Sequence, residues 1–308
     1  MIGTCEYGLA QYLVNIINKC MPDEYMLNST TDFIEKLQKY PLSPQDILVS
    51  YDVVSLFTNI PLKKTIDLVC EYVYRNDNKP SYPKSTFKEL LNIATGGLFM
   101  YNNSLYYQSD GVTMGSPLGP TLANFFLAHF EHQFMHTRKQ YNPELYLRYV
   151  DDVFCVFKSR EMITEFHTFL NSLVENLKFT YEIGPKKLAF LDTEITLPND
   201  SNSDCTFTVY RKPTNTNVLL NFSAICPFPW KLSLMSCFVN RAYIVCNSWS
   251  LFDHEINKLR TIFSKNGYPH EIFDKTVRKF LDRKFDAQIK KINILMNLIC
   301  ILLSLYHS

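Results

Sequence analysis

Two adjacent aspartates in Tyr149-Val150-Asp151-Asp152 lie between the apolar runs Leu147-Arg148-Tyr149-Val150 and Val153-Phe154-Cys155-Val156-Phe157. The pattern predicts two short strands joined by a tight bend. Such bends ordinarily use Asn-Gly or Asp-Gly, whose backbones suit the turn. Side-by-side carboxylates repel one another, so this bend suits a site where a hard divalent cation, Mg²⁺ or Mn²⁺, neutralises them. The bland alternative is an exposed acidic turn. A third carboxylate, Asp52, ends the β-prone run Ile47-Leu48-Val49-Ser50-Tyr51, which breaks at Asn59-Ile60-Pro61. Nucleotidyl transfer uses two cations roughly 3.5–4 Å apart, one at the attacking 3′-hydroxyl and one on the triphosphate. That chemistry needs at least two carboxylates on neighbouring strand ends, and Asp52 with Asp151 can supply them. The competing reading of Asp52 is a cap for the helix that Pro61 would begin.

Between these carboxylates lies Gly111-Val112-Thr113-Met114-Gly115-Ser116-Pro117-Leu118-Gly119-Pro120. Leu122, Phe125, Phe126 and Phe130 then recur at helical spacing and define one buried face. Gly115 before a helix start permits close approach of another molecule. Helices are expected over 6–20, 30–40, Leu62 to about Tyr74, Lys84–Thr95 and Glu161–Leu177. A hairpin is expected over Phe99–Gln108 with Asn102-Asn103 at its turn, and strands over Phe179–Ile183, Leu188–Ile195 and Thr206–Arg211. Strands and helices in this order predict an α+β fold: an antiparallel, ferredoxin-like sheet backed by helices, followed from Pro227 and Pro229 by an all-helical region.

The ordered blocks Ser50-Tyr51-Asp52-Val53-Val54-Ser55-Leu56-Phe57-Thr58-Asn59-Ile60-Pro61, Met114-Gly115-Ser116-Pro117-Leu118-Gly119-Pro120-Thr121-Leu122-Ala123-Asn124 and Arg148-Tyr149-Val150-Asp151-Asp152 resemble motifs A, B and C of reverse transcriptases. With Phe190-Leu191-Asp192, Tyr210-Arg211-Lys212-Pro213-Thr214 and Asn266-Gly267-Tyr268-Pro269, the wording is similar to that of Penelope-like retroelement polymerases, relatives of telomerase reverse transcriptase. The resemblance implies a polymerase right-hand palm followed by a helical thumb. The divisions it suggests are 1–45 for lead-in helices and partial fingers, 46–228 for the palm, 229–290 for the thumb and 291–308 for an apolar tail.

By position, the resemblance assigns Mg²⁺ (or Mn²⁺) to Asp52, Asp151 and Asp152, with Asp152 more peripheral. Phe57 would crowd a ribose 2′-hydroxyl and so favour deoxynucleotides; its plain alternative is a core phenylalanine. Met114 and Gly115 would lie near the incoming nucleotide and template. Lys178 falls where a lysine often protonates the leaving pyrophosphate, although a strand lysine is also ordinary edge protection. At the expected palm–thumb junction, Arg211 and Lys212 are suited to phosphate contacts and Tyr210 to stacking. The implied partners are an RNA template, a DNA primer and deoxynucleotide triphosphates, and the implied location is nuclear. Two departures stand out: no basic finger motifs precede Asp52, and no GIY-YIG nuclease follows. They keep open a rival reading, a truncated and inactive element remnant that at most binds nucleic acid.

Composition agrees with a sizeable core: 308 residues, 46% apolar. The net charge of +1 conceals an uneven distribution. Residues 1–200 hold 17 Lys and Arg against 23 Asp and Glu, whereas residues 201–308 hold 14 against 7. An acidic half that holds cations and a basic half that tracks phosphates suit a polymerase. Nine cysteines without CxxC spacing read as the reduced thiols of an intracellular protein, and the N-terminus lacks the basic segment of a secretory signal. The apolar stretch Ile292–Leu303 is shorter than the ~20 residues of a bilayer span and contains Asn293 and Asn297, so no membrane anchor is expected. His129, His132 and His136 can share one face of a helix that also carries Glu131, but no second element with ligand spacing appears, which argues against a metal site there.

Overall fold

A computed structural model describes residues 5–75, 77, 79–108, 111–112, 115–137, 142–200 and 203–286. Met114 and the apolar tail lie outside the described residues. The residues up to Leu191, with Thr196–Asp204, form one compact unit; Asp192–Ile195 and the residues from Cys205 onward form a second.

The first unit is built on a four-stranded antiparallel sheet of β1 (Ile47–Val53), β4 (Leu145–Tyr149), β5 (Asp152–Phe157) and β6 (Phe179–Gly184), in the order β4-β5-β1-β6. Chain order is strand, helices, strand, strand, helix, strand, which is the ferredoxin-like arrangement. Between β1 and β4 come α3 (Leu56–Asn59), α4 (Leu62–Arg75), α5 (Lys84–Thr95), a hairpin of β2 (Leu98–Tyr101) and β3 (Ser104–Tyr107), and α6 (Leu118–Thr137). α7 (Arg160–Leu173) joins β5 to β6, while α1 (Cys5–Ile17) and α2 (Thr30–Gln38) precede the sheet.

Both faces of the sheet are covered, which is why β5 reads as a continuous apolar run rather than an alternating one. Val49, Tyr51, Val153, Cys155 and Phe157 share a core with Leu122, Phe125 and Phe126 of α6 and with Ile163, Phe166 and Leu170 of α7. On the other face Phe154 meets Phe33 of α2 at 5.1 Å between ring centroids, and Phe190 at 5.5 Å.

Local chemistry sets the element ends. Ser29 caps α2 by accepting the Asp32 N–H at 3.2 Å, and Ser159 caps α7 by accepting that of Met162 at 3.4 Å. α7 stops at Leu173 instead of the expected Leu177, because Val174 is extended and the Asn171 side chain binds the next strand. Asn171 accepts the Phe179 N–H at 2.9 Å and donates to its carbonyl at 3.2 Å, pinning the start of β6. Asn102 and Asn103 take φ of 49° and 58°, the left-handed pair of a tight hairpin turn. The strand expected over Leu188–Ile195 is two, β7 (Lys187–Phe190) and β8 (Thr193–Thr196), because Leu191 turns the chain at φ 51°.

The second unit contains β9 (Thr206–Val209), which pairs with β8, then α8 (Phe228–Val245), α9 (Trp249–Lys265) and a helix over 270–286. Met235, Val239, Ile256, Leu259, Phe263, Tyr268 and Phe273 form its core. Asn266-Gly267-Tyr268-Pro269 is a clamp between the last two helices. The Asn266 side chain accepts the Leu219 N–H and donates to the Asn217 carbonyl, both at 2.9 Å, and the Tyr268 hydroxyl donates to the Leu220 carbonyl at 2.9 Å. The packing division therefore falls well before residue 228: β9 and residues 210–227 go with the helices.

Candidate active site

β1 carries Asp52 to its end, where the residue stands directly opposite Asp152 across the ladder with β5 and opposite Thr180 of β6 on the other side. Residues opposite one another in an antiparallel pair project from the same sheet face. Val150-Asp151 is the two-residue turn between β4 and β5, with Tyr149 opposite Asp152. The turn is tied back to β1, since the Val53 N–H donates to the Asp151 carbonyl at 3.2 Å. Three carboxylates thus gather at adjoining ends of two strands. The Asp52 carboxyl is held above the usual carboxylate range, by partial desolvation first and by the Asp151 charge second.

Val150 takes φ 56°. A left-handed conformation is strained for a β-branched residue, at a cost of roughly 1–3 kcal/mol. Such turns ordinarily place glycine there. Valine instead packs its side chain against the core.

Among the described residues, no group of three or more His, Cys, Asp or Glu side chains is placed so that it could hold a metal ion. Mg²⁺ seldom uses such a group; it takes one or two carboxylates and completes its shell with water and substrate phosphates. Accessible, mutually repelling hard-oxygen donors at Asp52 and Asp151 fit an ion of that kind. The histidine face of α6 has other partners: His129 Nδ1 lies 3.0 Å from the Tyr72 hydroxyl, and Glu131 turns into the core.

Phe57, in α3, borders a concavity of about 310 Å³ with Gly115, Ser116, Pro117, Gly119 and Pro120 at the entry to α6. Tyr7 and Gln11 of α1 complete its wall, and no motif in the sequence marks either of them. Gly115 has φ 89° and open space around it. Gly111 has φ 74°, and a Cβ there would meet the carbonyl oxygens of Phe57 and Thr58 at 2.8 Å. The neighbouring Val112 N–H donates to the Phe57 carbonyl at 2.7 Å, so this close approach fixes the backbone of Phe57.

The Lys178 carbonyl accepts the Val54 N–H at 2.8 Å, which sets that residue beside the end of β1. Its exposed ammonium donates to the Asn171 carbonyl at 3.3 Å. Tyr210, Arg211 and Lys212 belong to the second unit. Arg211 is engaged by the buried Glu255, with Nη1 donating to Oε2 at 2.9 Å and Nη2 to Oε1, so its charge is already matched within the protein. Arg211 thus has an intramolecular partner that the Tyr210-Arg211-Lys212 stretch does not announce. Tyr210 is fixed through its backbone, its carbonyl accepting from Arg241 at 3.0 Å, and Lys212 is exposed.

The buried Arg148 underlies the turn, with Glu131 and Asn124 of α6 as its partners. A charge inside an apolar strand is the sequence signal that could have singled it out, since arginine is seldom fully buried unpaired.

Residues 8–203 match the family described as "Reverse transcriptase (RNA-dependent DNA polymerase)", and residues 218–278 match "Animal helix-turn-helix domain". No match is found among curated proteins. The fold is similar to that of telomerase from Candida albicans, solved in complex with a TWJ fragment of telomeric RNA, at TM-score 0.54 and 14% identity, covering 89% of this chain and 51% of that one. Apo telomerase from Candida tropicalis is similar at TM-score 0.50 and 13% identity, covering 93% and 51%. The chain thus spans about half the length of each of these structures, 51% in both cases.

Proposed function

The chain belongs to the reverse transcriptase family, and from that premise we propose that it is an RNA-directed DNA polymerase of a Penelope-like transposable element. The reaction would join a deoxynucleotide to a primer 3′-hydroxyl on an RNA template, with loss of pyrophosphate. One observation above all supports this reading: Asp52 and Asp152 stand opposite each other at strand ends, with Asp151 in the turn tied to β1 beside them.

Asp52 and Asp151 would hold two Mg²⁺ ions, with Asp152 assisting. Bound there, such ions supply activation of the 3′-hydroxyl and neutralisation of the triphosphate. The chain's own residues do the rest. Phe57, held by Gly111 and Val112, would close the space a ribose 2′-hydroxyl needs. Gly115 would give the nucleotide and template a close backbone approach, and Met114 would lie near them. Lys178 would donate the proton that the leaving pyrophosphate requires, releasing the Asn171 carbonyl to do so.

In this reading the first unit is the palm with its lead-in helices, and the second is the thumb. Tyr210 and Lys212 would touch the primer backbone, while Arg211 keeps a structural place against Glu255. A groove of about 900 Å³ between α8 and the helix over 270–286 has Lys275, Lys279, Arg283 and Lys284 in its lining, which suits a nucleic-acid backbone gripped through phosphates without sequence readout. The Penelope-like assignment rests on the Tyr210-Arg211-Lys212-Pro213 and Asn266-Gly267-Tyr268-Pro269 words, and the life cycle of such an element implies work in the nucleus.

Mg²⁺-dependent incorporation of deoxynucleotides onto an RNA-templated primer tests the reading. Binding of the primer–template without any incorporation would favour an inactive, nucleic-acid-binding remnant.

A further inference from the structure

Arg148 is 1% exposed and sits two residues before the strained turn residue. A guanidinium has five N–H donors in a fixed fork, and here each has an acceptor. Nε donates to Glu131 Oε1 at 2.5 Å and Nη2 to Glu131 Oε2 at 3.0 Å. Nη2 also reaches the Asn124 carbonyl at 3.4 Å, and Nη1 donates to Asn124 Oδ1 at 2.8 Å. The remaining Nη1 donor goes to the Val150 carbonyl at 3.0 Å. Glu131 is completed by the Tyr146 hydroxyl at 2.7 Å. The strand itself is anchored on its outer side, with the Arg148 N–H on the Tyr25 carbonyl at 2.8 Å and the Leu27 N–H on the Arg148 carbonyl at 2.7 Å.

As a device for stability this arrangement is poor. Desolvating two charges costs several kcal/mol per ion, and apolar side chains of similar volume often fold as well or better. An apolar side chain could not, however, bind the Val150 carbonyl. That carbonyl belongs to the residue whose left-handed conformation directs the chain into Asp151. α6 holds the guanidinium through two of its side chains, and the guanidinium holds the turn.

We propose that Arg148 is a positioning residue for Asp151, fixing the carboxylate through the Val150 carbonyl while Glu131 and Asn124 orient the guanidinium. The proposal rests on the reading of Asp151 as a cation ligand. Its consequence is that the helix following the Gly-Ser-Pro block and the acidic turn act as one rigid piece.

The test uses Mn²⁺ alone as the probe, with affinity measured by electron paramagnetic resonance, and amide hydrogen exchange in metal-free protein as a second readout. Arg148→Ala would strand Glu131 and threatens folding, so the principal variant is Arg148→Met with Glu131→Gln, which removes both charges and keeps both volumes. Asn124→Ala is a second probe, because it leaves the Arg148–Glu131 pair intact and removes only an orienting acceptor. The expected result is a folded double variant whose Mn²⁺ affinity falls about 10- to 100-fold, with a drop of about tenfold for Asn124→Ala. The Val53 amide, which reports the Asp151 carbonyl, exchanges faster in both. Wild-type Mn²⁺ affinity and Val53 protection in either folded variant would overturn the proposal. Asp151→Asn separates it from its premise: if that substitution leaves Mn²⁺ binding unchanged, the cation reading fails; if it weakens binding while the Arg148 and Asn124 variants do not, only the positioning role fails.

Discussion

Asp52 and Asp152 stand opposite one another in the β1–β5 ladder, and the Val53 N–H beside Asp52 donates to the carbonyl of Asp151. Backbone pairing alone therefore brings three acidic residues, separated by about a hundred positions in sequence, to one end of the sheet. Like charges gathered in this way oppose folding unless something neutralises them. The Asp52 carboxyl is raised by partial desolvation first, and the Asp151 charge adds to it. Under the proposed function, a bound divalent cation would relieve that repulsion.

Phe57 gives a selectivity test. Phe57→Ala opens the concavity it shares with Gly115 and Pro117. Discrimination of deoxy- over ribonucleotides, measured as a ratio of kcat/KM values, is expected to fall about 100-fold. An unchanged ratio would return Phe57 to the role of an ordinary core side chain.

Gly111→Ala tests how that side chain is held. A methyl group would meet the carbonyl oxygens of Phe57 and Thr58 at 2.8 Å, at a φ of 74° that alanine rarely adopts. The expected cost is about 2 kcal/mol of stability, from strain at a position that demands φ above zero. The same selectivity ratio should fall, because the Phe57 backbone must shift. A thermal melt and a selectivity ratio both matching the wild type would contradict this.

Arg211→Ala should act on folding rather than on affinity for nucleic acid. Glu255, 4% exposed, would be left without its guanidinium, at a cost of about 3 kcal/mol. The salt dependence of duplex binding should stay as it was, whereas Lys212→Ala should reduce its slope by about one. The opposite pattern, a flattened slope with an unchanged melt for Arg211→Ala, would restore it as a phosphate contact.

Much of this architecture is legible in the residues. The Asn102-Asn103 turn, the span of α5 and the carboxylate-bearing ends of β1 and β5 follow from turn chemistry, helical periodicity and apolar runs. Other features rest on contacts distant in sequence. Leu191 takes a left-handed conformation that leucine does not announce, so one apolar stretch became two strands. Arg211 reads as a free cation until Glu255, forty-four positions away, is folded against it. Tyr7 and Gln11 join the Phe57 concavity from a helix whose sequence shows only an amphipathic surface. Periodicity marks which face is buried; it does not identify the neighbour.

Two histidines give the fold a pH dependence. His129 is held below its ordinary value near 6.5 by burial, then by the charges of Lys64 and His132, and His167 is lowered by burial. In the unfolded chain both bind protons near pH 6.5, while in the folded chain they do so only at lower pH. The unfolded state therefore holds more protons in that window, and stability falls as pH drops through it. Tm should decline between about pH 7.5 and 5.5, and less steeply when His129→Gln and His167→Gln are combined. An identical decline in the double variant would assign the effect to other groups.

The central claim, that the carboxylates gathered at the ends of β1 and β5 perform nucleotidyl transfer, is tested most directly by one comparison. Extension of a primer annealed to an RNA template would be measured with Mg²⁺ and deoxynucleotide triphosphates for the wild type and for Asp151→Asn. Wild-type extension should fall at least about a thousandfold in the variant, equivalent to roughly 4 kcal/mol of lost transition-state stabilisation, with primer–template affinity little changed. Extension that survives the substitution would contradict the assignment.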